Sequence, residues 1–88
     1  MIKTLPLEEN PREKALTYGI ETLNNVELLA LILRTGHKNE SVIQLSQRLL
    51  TEIGGFANLS TVTYADLIAL KGIKQAKAIE ILSIIEID

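Results

Sequence analysis

Three lysines set around one glycine are the residues with the clearest capacity for chemistry in this chain. Lys71, Lys74 and Lys77 flank Gly72 in the stretch Leu67-Ile-Ala-Leu-Lys-Gly-Ile-Lys-Gln-Ala-Lys-Ala-Ile-Glu-Ile-Leu82. The stretch reads as a short apolar helix, a turn around Gly72 and a second apolar helix. The spacing places Lys74 and Lys77 in the first turn of that second helix, with Lys71 just before the turn. Ammonium groups there oppose the helix macrodipole, at about 0.3–1 kcal/mol each. A helix start also offers free N–H groups that bind anions, so the arrangement suits a phosphate backbone. The chemistry on offer is binding rather than catalysis. One histidine, His37, and no cysteine cannot assemble a nucleophile–base pair, and the Glu8-Glu9 pair suggests no acid–base work. The reading is a non-enzymatic domain with no cofactor and no metal.

The same residues have plainer explanations. Lysines around a turn also keep a surface solvated. Gly72 is what a helix end with positive φ selects, whatever the function. Ile73 reads as a plug between the two helices, and His37 with Lys38 as an exposed loop pair. Arg34, near a helix C-terminus, is favoured by the dipole alone. Arg12, Glu13 and Lys14 read as a solvated first turn after Pro11.

The elements that would hold these residues are marked by their caps. Asn10-Pro11 is a cap followed by proline at the first helical position, and Gly19 stops that helix. Asn24-Asn25-Val26-Glu27 has the capping-box pattern and opens a helix running to about Arg34, with Gly36 beyond its end. A third helix begins near Ser41 and keeps helical spacing through Val42, Leu45, Leu49, Leu50 and Ile53 as far as Gly54-Gly55. Leu59 falls in a short helical turn. Thr63-Tyr64-Ala65-Asp66 resembles another capping box and opens about two turns that end before Gly72. A last helix starts near Gln75. No segment alternates apolar and polar residues as a half-buried strand would.

Eighty-eight residues support one small domain and one core. The absence of cysteine removes disulfides and thiolate metal sites and points to a reducing compartment. Stability must come from apolar packing, and 47% hydrophobic residues, aliphatic apart from Phe56, Tyr18 and Tyr64, can supply it. No apolar run approaches the roughly 20 residues of a membrane span, and Met1-Ile2-Lys3 does not open a signal peptide, so the expected location is cytoplasmic. Net charge is −2, but its distribution is uneven. Residues 61–79 carry Lys71, Lys74 and Lys77 against Asp66 alone, while 80–88 carry Glu80, Glu86 and Asp88. A local positive patch of this kind binds anions modestly and with steep salt dependence.

An internal repeat underlies the pattern. A 36-residue offset aligns Leu31 with Leu67, Gly36 with Gly72, Lys38 with Lys74, Ile43 with Ile79 and Leu45 with Ile81. The spacing suggests a duplicated helix–hairpin–helix unit. It also suggests a core of Leu31, Ile32, Leu45, Leu49, Leu67, Ile68, Ile73, Ile79 and Leu82. On the last helix Ala78, Ile81, Leu82 and Ile85 share an inward face with Ile79 at its edge, and Ile84 and Ile87 fall outside it. Those two isoleucines call for a cover: the arm Met1–Leu7 folding back, a second copy pairing through Ile84 and Ile87, or a domain beyond residue 88.

The pattern apolar-x-Lys-Gly-Ile-x-x-Ala-x-Ala-Ile at 69–79 resembles the helix-hairpin-helix motif of DNA repair and replication proteins. More widely, the chain resembles the N-terminal domain of the RadC family. The resemblance rests on Ile2-Lys3 with Leu5-Pro6, Asn10-Pro11-Arg12-Glu13-Lys14, Glu27-Leu28-Leu29-Ala30, Leu33-Arg34-Thr35-Gly36, Ser41-Val42, Gly54-Gly55 and Leu70-Lys71-Gly72-Ile73. In that family a JAB/MPN-type, metalloprotease-like domain follows, and its zinc ligands lie there. The resemblance thus implies a C-terminal partner domain and assigns no ligand role to His37. The usual hairpin carries Gly-apolar-Gly. Here Lys74 replaces the second glycine, and its side chain either blocks close approach to a phosphate or substitutes a longer ion pair. In Gly36-His37-Lys38 the apolar middle residue is missing as well.

The combined expectation is an all-α bundle of about five short helices. Residues 1–22 would form an arm and first helix, and 23–88 a tandem helix-hairpin-helix-like unit. Its function would be sequence-independent DNA binding, with backbone phosphate held by Lys71, Gly72, Ile73, Lys74 and Lys77 and a possible second hairpin at Gly36, His37 and Lys38. The competing expectation is a protein-interaction or scaffold module for the C-terminal domain.

Overall fold

Four of the five α-helices begin where a short polar side chain satisfies an orphan amide. In the computed structural model, which describes residues 10–87, α1 spans Pro11–Tyr18, α2 Asn25–Leu33, α3 Val42–Ile53, α4 Tyr64–Ile68 and α5 Gln75–Glu86. Short 3-10 turns cover Ile20–Thr22 and Phe56–Thr61. No strand occurs among the described residues, so the fold is all-α. The expected arm Met1–Leu7 and the Glu8-Glu9 pair lie outside them.

Capping explains the boundaries. The Asn10 side chain accepts from the Glu13 N–H, with Pro11 in the first turn. Asn24 with Glu27, Ser41 with Gln44 and Thr63 with Asp66 form complete, reciprocal capping boxes. Gly54 closes α3 in the left-handed region, where a side chain would be strained. The helix α4 is shorter than the two turns expected and holds one inward residue, Leu67.

The core joins α2, α3, α4 and α5 through Leu29, Leu33, Leu45, Leu49, Leu50, Leu67, Ile73, Ala78 and Ile81. Of the expected core, Leu45, Leu49, Leu67 and Ile73 are buried, and Ile32 and Leu82 pack against the cluster. Leu31 is half-buried outside it, and Ile68 (44% exposed) and Ile79 (50%) are surface residues. The phase of α2 accounts for Leu31. From Leu28 to Leu33 every residue is apolar, so the pattern does not say which face turns inward, and the inward set is Leu29, Ala30 and Leu33.

The first helix is bound to the rest by charge. Lys14 Nζ lies 3.1 Å from both carboxylate oxygens of Glu27, which is buried and also accepts from the Asn24 N–H at 2.9 Å. Lys14 is therefore not the solvated lysine that its place beside Arg12 and Glu13 suggested. The Asn24 amide above all, then Lys14, holds the Glu27 carboxyl below the usual carboxylate range against the opposing effect of burial.

The 36-residue offset aligns the turn glycines but not the helix starts. The caps Ser41 and Lys74 stand 33 apart (74 − 41), because five positions separate Gly36 from its cap and two separate Gly72 from its own. The three extra residues fall within a tight loop from His37 to Glu40, whose ends exchange backbone bonds of 2.9 and 2.8 Å. That loop carries part of the candidate site.

Candidate functional site

The turn between α4 and α5 is built to expose charge. Leu67 and Ile73 are buried on either side of it. The Ile73 N–H donates to the Leu70 carbonyl at 3.1 Å, and Gly72 takes φ +88°, a conformation that favours glycine. Two inward apolar residues leave Lys71 and Lys74 facing solvent. Ile73 therefore has its side chain in the core and its amide engaged within the turn.

Lys74 is the N-cap of α5 rather than a first-turn residue, and it makes no capping bond. An ammonium group has no acceptor to offer. The caps of α1 to α4 all supply one, so the N–H groups of Gln75, Ala76 and Lys77 open α5 without a side-chain cap. Lys77, at the third helical position, is half-buried and its Nζ donates to Thr35 Oγ1 at 2.8 Å.

That bond joins the α4–α5 turn to the loop between α2 and α3. His37 packs its ring on the backbone of Gly72, where an added Cβ would stand 2.8 Å from His37 Cγ and 2.9 Å from its Cβ. The ring is thus part of the contact between the turns, not an exposed loop side chain, and its Nε2 is buried without a hydrogen-bond partner. Gly36 is required by close approach, since a Cβ there would lie 1.9 Å from the Glu40 carbonyl oxygen. Beside His37, Lys38 takes φ +52° and is exposed. The structure thereby brings Gly36, His37 and Lys38 to the same end of the molecule as Lys71, Gly72 and Lys74.

Two arginines hold this end together, and sequence reasoning gave neither that role. Arg48 donates to both Glu40 carboxylate oxygens, at 2.8 and 2.9 Å, and also to the Lys71 carbonyl. The bonds from Arg48 lower the Glu40 pKa, with His37 and Lys71 adding smaller effects of the same sign. Arg34 pairs with Glu80 on α5. The Arg48–Glu52 spacing of four on α3 was a readable signal, whereas nothing in the sequence points from Arg48 to a carbonyl 23 residues away.

Among the described residues Lys38, Lys71 and Lys74 make no ion pair, while Arg34 and Arg48 each hold a carboxylate. Three free ammonium groups and an uncapped helix start therefore share one end of the fold. No group of three or more His, Cys, Asp or Glu able to hold a metal occurs among the described residues, and no described helix is long and apolar enough to cross a membrane. Such an end can attract and hold an anion.

Comparison with known proteins gives the lineage. Residues 2–79 match the family model described as UPF0758 N-terminal. UPF0758 proteins of Clostridium beijerinckii and Clostridium botulinum (strain Alaska E43) are 50% and 51% identical to this chain over 86 residues. A Bacillus licheniformis UPF0758 protein is 48% identical over the same length. In each case 98% of this chain is covered, and the chain spans 38% of the relative's length. No solved structure matches. With 50% identity to relatives across almost its whole length, the chain belongs to the UPF0758 family of RadC-like proteins.

Proposed function

We propose that this domain is a non-catalytic module that holds the phosphate backbone of DNA, without reading sequence, at the paired turns. The observation that carries this reading is the coincidence of the uncapped α5 start with three unpaired lysines, Lys38, Lys71 and Lys74. Free amides at a helix start and nearby ammonium groups suit a phosphate diester. The α4–α5 turn offers amides and lysines but no Asn/Arg array that could read base edges, so contact would position the module rather than select a sequence. Gly72 and Lys74 would contribute backbone amides and Lys71, Lys74 and Lys38 charge. Lys77 contributes less because its ammonium is shared with Thr35. The tandem helix-hairpin-helix-like description belongs to this proposal, as does a DNA-repair setting in which the module carries a C-terminal metalloprotease-like domain to its substrate.

Fluorescence anisotropy on a labelled duplex tests it. Neutralising about three phosphates gives a salt slope near −2.7, so affinity should fall about 40-fold between about 50 and 200 mM salt. The Lys71→Glu/Lys74→Glu variant should fold normally and lose binding. Salt-insensitive binding, or full binding by that variant, would refute the proposal. A second reading, a protein-interaction module, is favoured by a run of exposed apolar side chains on α5 and by the net charge of −2. It predicts no binding to the duplex at low salt.

A further inference from the structure

Away from the lysine turns, one face of the molecule is apolar, and most of its polar groups are already engaged. Ile79 and Ile84 of α5, half exposed, line a shallow groove with Leu31 and Ile32 of α2. Ile32 and Ile84 continue into an apolar groove of about 580 Å³ that reaches Phe56, itself 51% exposed. Contiguous apolar side chains in the open mark an interaction surface. The Ser83 hydroxyl, in the first groove, donates to the Ile79 carbonyl at 2.7 Å. The Ser60 hydroxyl, in the second, donates to the Ala57 carbonyl at 3.3 Å. Arg34 and Glu80, the charged residues lining the two grooves, pair with each other. Covering this face therefore strands few hydrogen-bonding groups, and the face as a whole is neutral. None of Lys38, Lys71 and Lys74 lines it, so it is distinct from the proposed phosphate site.

We propose that a second copy of this chain covers the face, with the two α5 helices antiparallel across a twofold axis and Arg34 of each copy meeting Glu80 of the other. Two observations select a copy as the occupant. The first is shape. Ala76, Ile79, Ser83 and Ile87 follow one another at spacings of three and four, so they form one stripe along α5, and all four are exposed. The stripe alternates small and large side chains. Reversed against itself, it sets Ile79 against Ser83 of the second copy and Ala76 against Ile87 of the second copy. Each large side chain then meets a small one, as interdigitated packing requires. The second observation is charge. A twofold axis brings like surface to like, which repels wherever the face carries net charge, and this face carries none. Its one ion pair is also suited to exchange. Arg34 keeps 65% of its side chain exposed beside Glu80, with donors to spare. Both residues line the same groove as Ile79 and Ser83, so the pairing that seats those two brings Arg34 of each copy to Glu80 of the other.

Sedimentation equilibrium of the full chain tests the pairing. A face of this size lies at the lower end of stable interfaces, so the mass should rise from one chain to two with a dissociation constant of about 1–100 µM. Ile79→Glu and Ile84→Glu should each weaken association by about 30-fold or more. Ile68→Glu, comparably exposed but outside both grooves, should leave it unchanged. A chain that stays monomeric at about 1 mM overturns the proposal and leaves the face to a different partner. Association that Ile79→Glu and Ile84→Glu both leave intact overturns it in favour of a dimer built elsewhere. A mixing experiment tests the same contact without altering an apolar residue. Arg34→Glu alone, and Glu80→Arg alone, place like charges across the axis and should self-associate weakly. An equimolar mixture of the two restores opposite charges between copies and should associate about tenfold more tightly than either variant alone. A mixture no tighter than its components overturns the antiparallel pairing.

Discussion

Replacing Gly72 by alanine adds one methyl group at the point where the two turns meet, and its cost has two separable parts. Gly72 sits at φ +88°, a conformation that costs an L-residue about 1–2 kcal/mol. The new Cβ would also stand 2.8 Å from His37 Cγ and 2.9 Å from His37 Cβ, inside any van der Waals contact. Relief requires the ring to move, and overpacking of this kind costs about 1–3 kcal/mol. The sum is about 2–5 kcal/mol, a large share of what so small a domain has to lose. At about 4–8 °C per kcal/mol the melting midpoint should fall by at least about 8 °C.

The cycle with His37→Gly separates the parts. In the His37→Gly background the three nearest atoms, all on the His37 side chain, are gone, so mainly the φ penalty should remain. The difference between the two backgrounds should be about 1–3 kcal/mol, read from urea or thermal unfolding monitored by circular dichroism. If Gly72→Ala costs the same with and without His37, the two turns are not in contact in solution. The composite end on which the proposed site rests would then not exist.

Further outcomes follow from the core and from the caps. Leu67→Ala removes the one inward residue of α4 and should cost about 2–5 kcal/mol, read as a lowered midpoint; an unchanged midpoint would remove Leu67 from the core. Glu27 has its pKa lowered in the fold, so its contribution is present above the ordinary carboxylate pKa and is lost as pH falls through the folded value. Stability should therefore decline as pH drops below about 4.5, and Glu27→Gln should flatten that decline while costing about 1.5–3 kcal/mol at neutral pH for the charged bonds to Lys14 and Asn24. Ser41→Ala breaks a complete capping box and should cost about 0.5–2 kcal/mol, seen in the same unfolding curves. Lys74→Gly should leave the midpoint little changed and alter affinity for duplex DNA; affinity that moves in neither direction would exclude the turn as the DNA contact.

What could be read from the residues, and what could not, divides by sequence separation. Helix starts were legible because a cap is a bond between residues three apart: Asn10 with Glu13, Asn24 with Glu27, Ser41 with Gln44, Thr63 with Asp66. The inward face of α5 was legible because polar residues interrupt it. The face of α2 was not, because an uninterrupted apolar run carries no phase. Ile68 misled for another reason, since a five-residue helix buries one position and leaves its neighbours outside. At the site, the exposed lysines and turn glycines were visible as types and spacings. The contacts of His37 with Gly72, Lys77 with Thr35 and Arg48 with Lys71 were not, because they arise only when two turns 36 residues apart dock.

That docking sorts the cations of this end by what they already do. Arg48 is committed twice, to Glu40 and to the Lys71 carbonyl, and so fixes the α4–α5 turn on α3. Arg34 and Lys77 tie α5 to the α2–α3 loop through Glu80 and Thr35. Removing any of these three charges disturbs the geometry that presents the others, so lost binding in such a variant would not distinguish contact from scaffold. Lys38, Lys71 and Lys74 carry no such load: each is exposed, and none makes an ion pair among the described residues. Glu40 and Glu80 are engaged by Arg48 and Arg34, and Lys71 has only a weaker attraction to Glu40 beside them. A surface that neutralises its structural cations and leaves three others open to solvent fits the proposed phosphate contact, in which an external anion would supply the opposite charge.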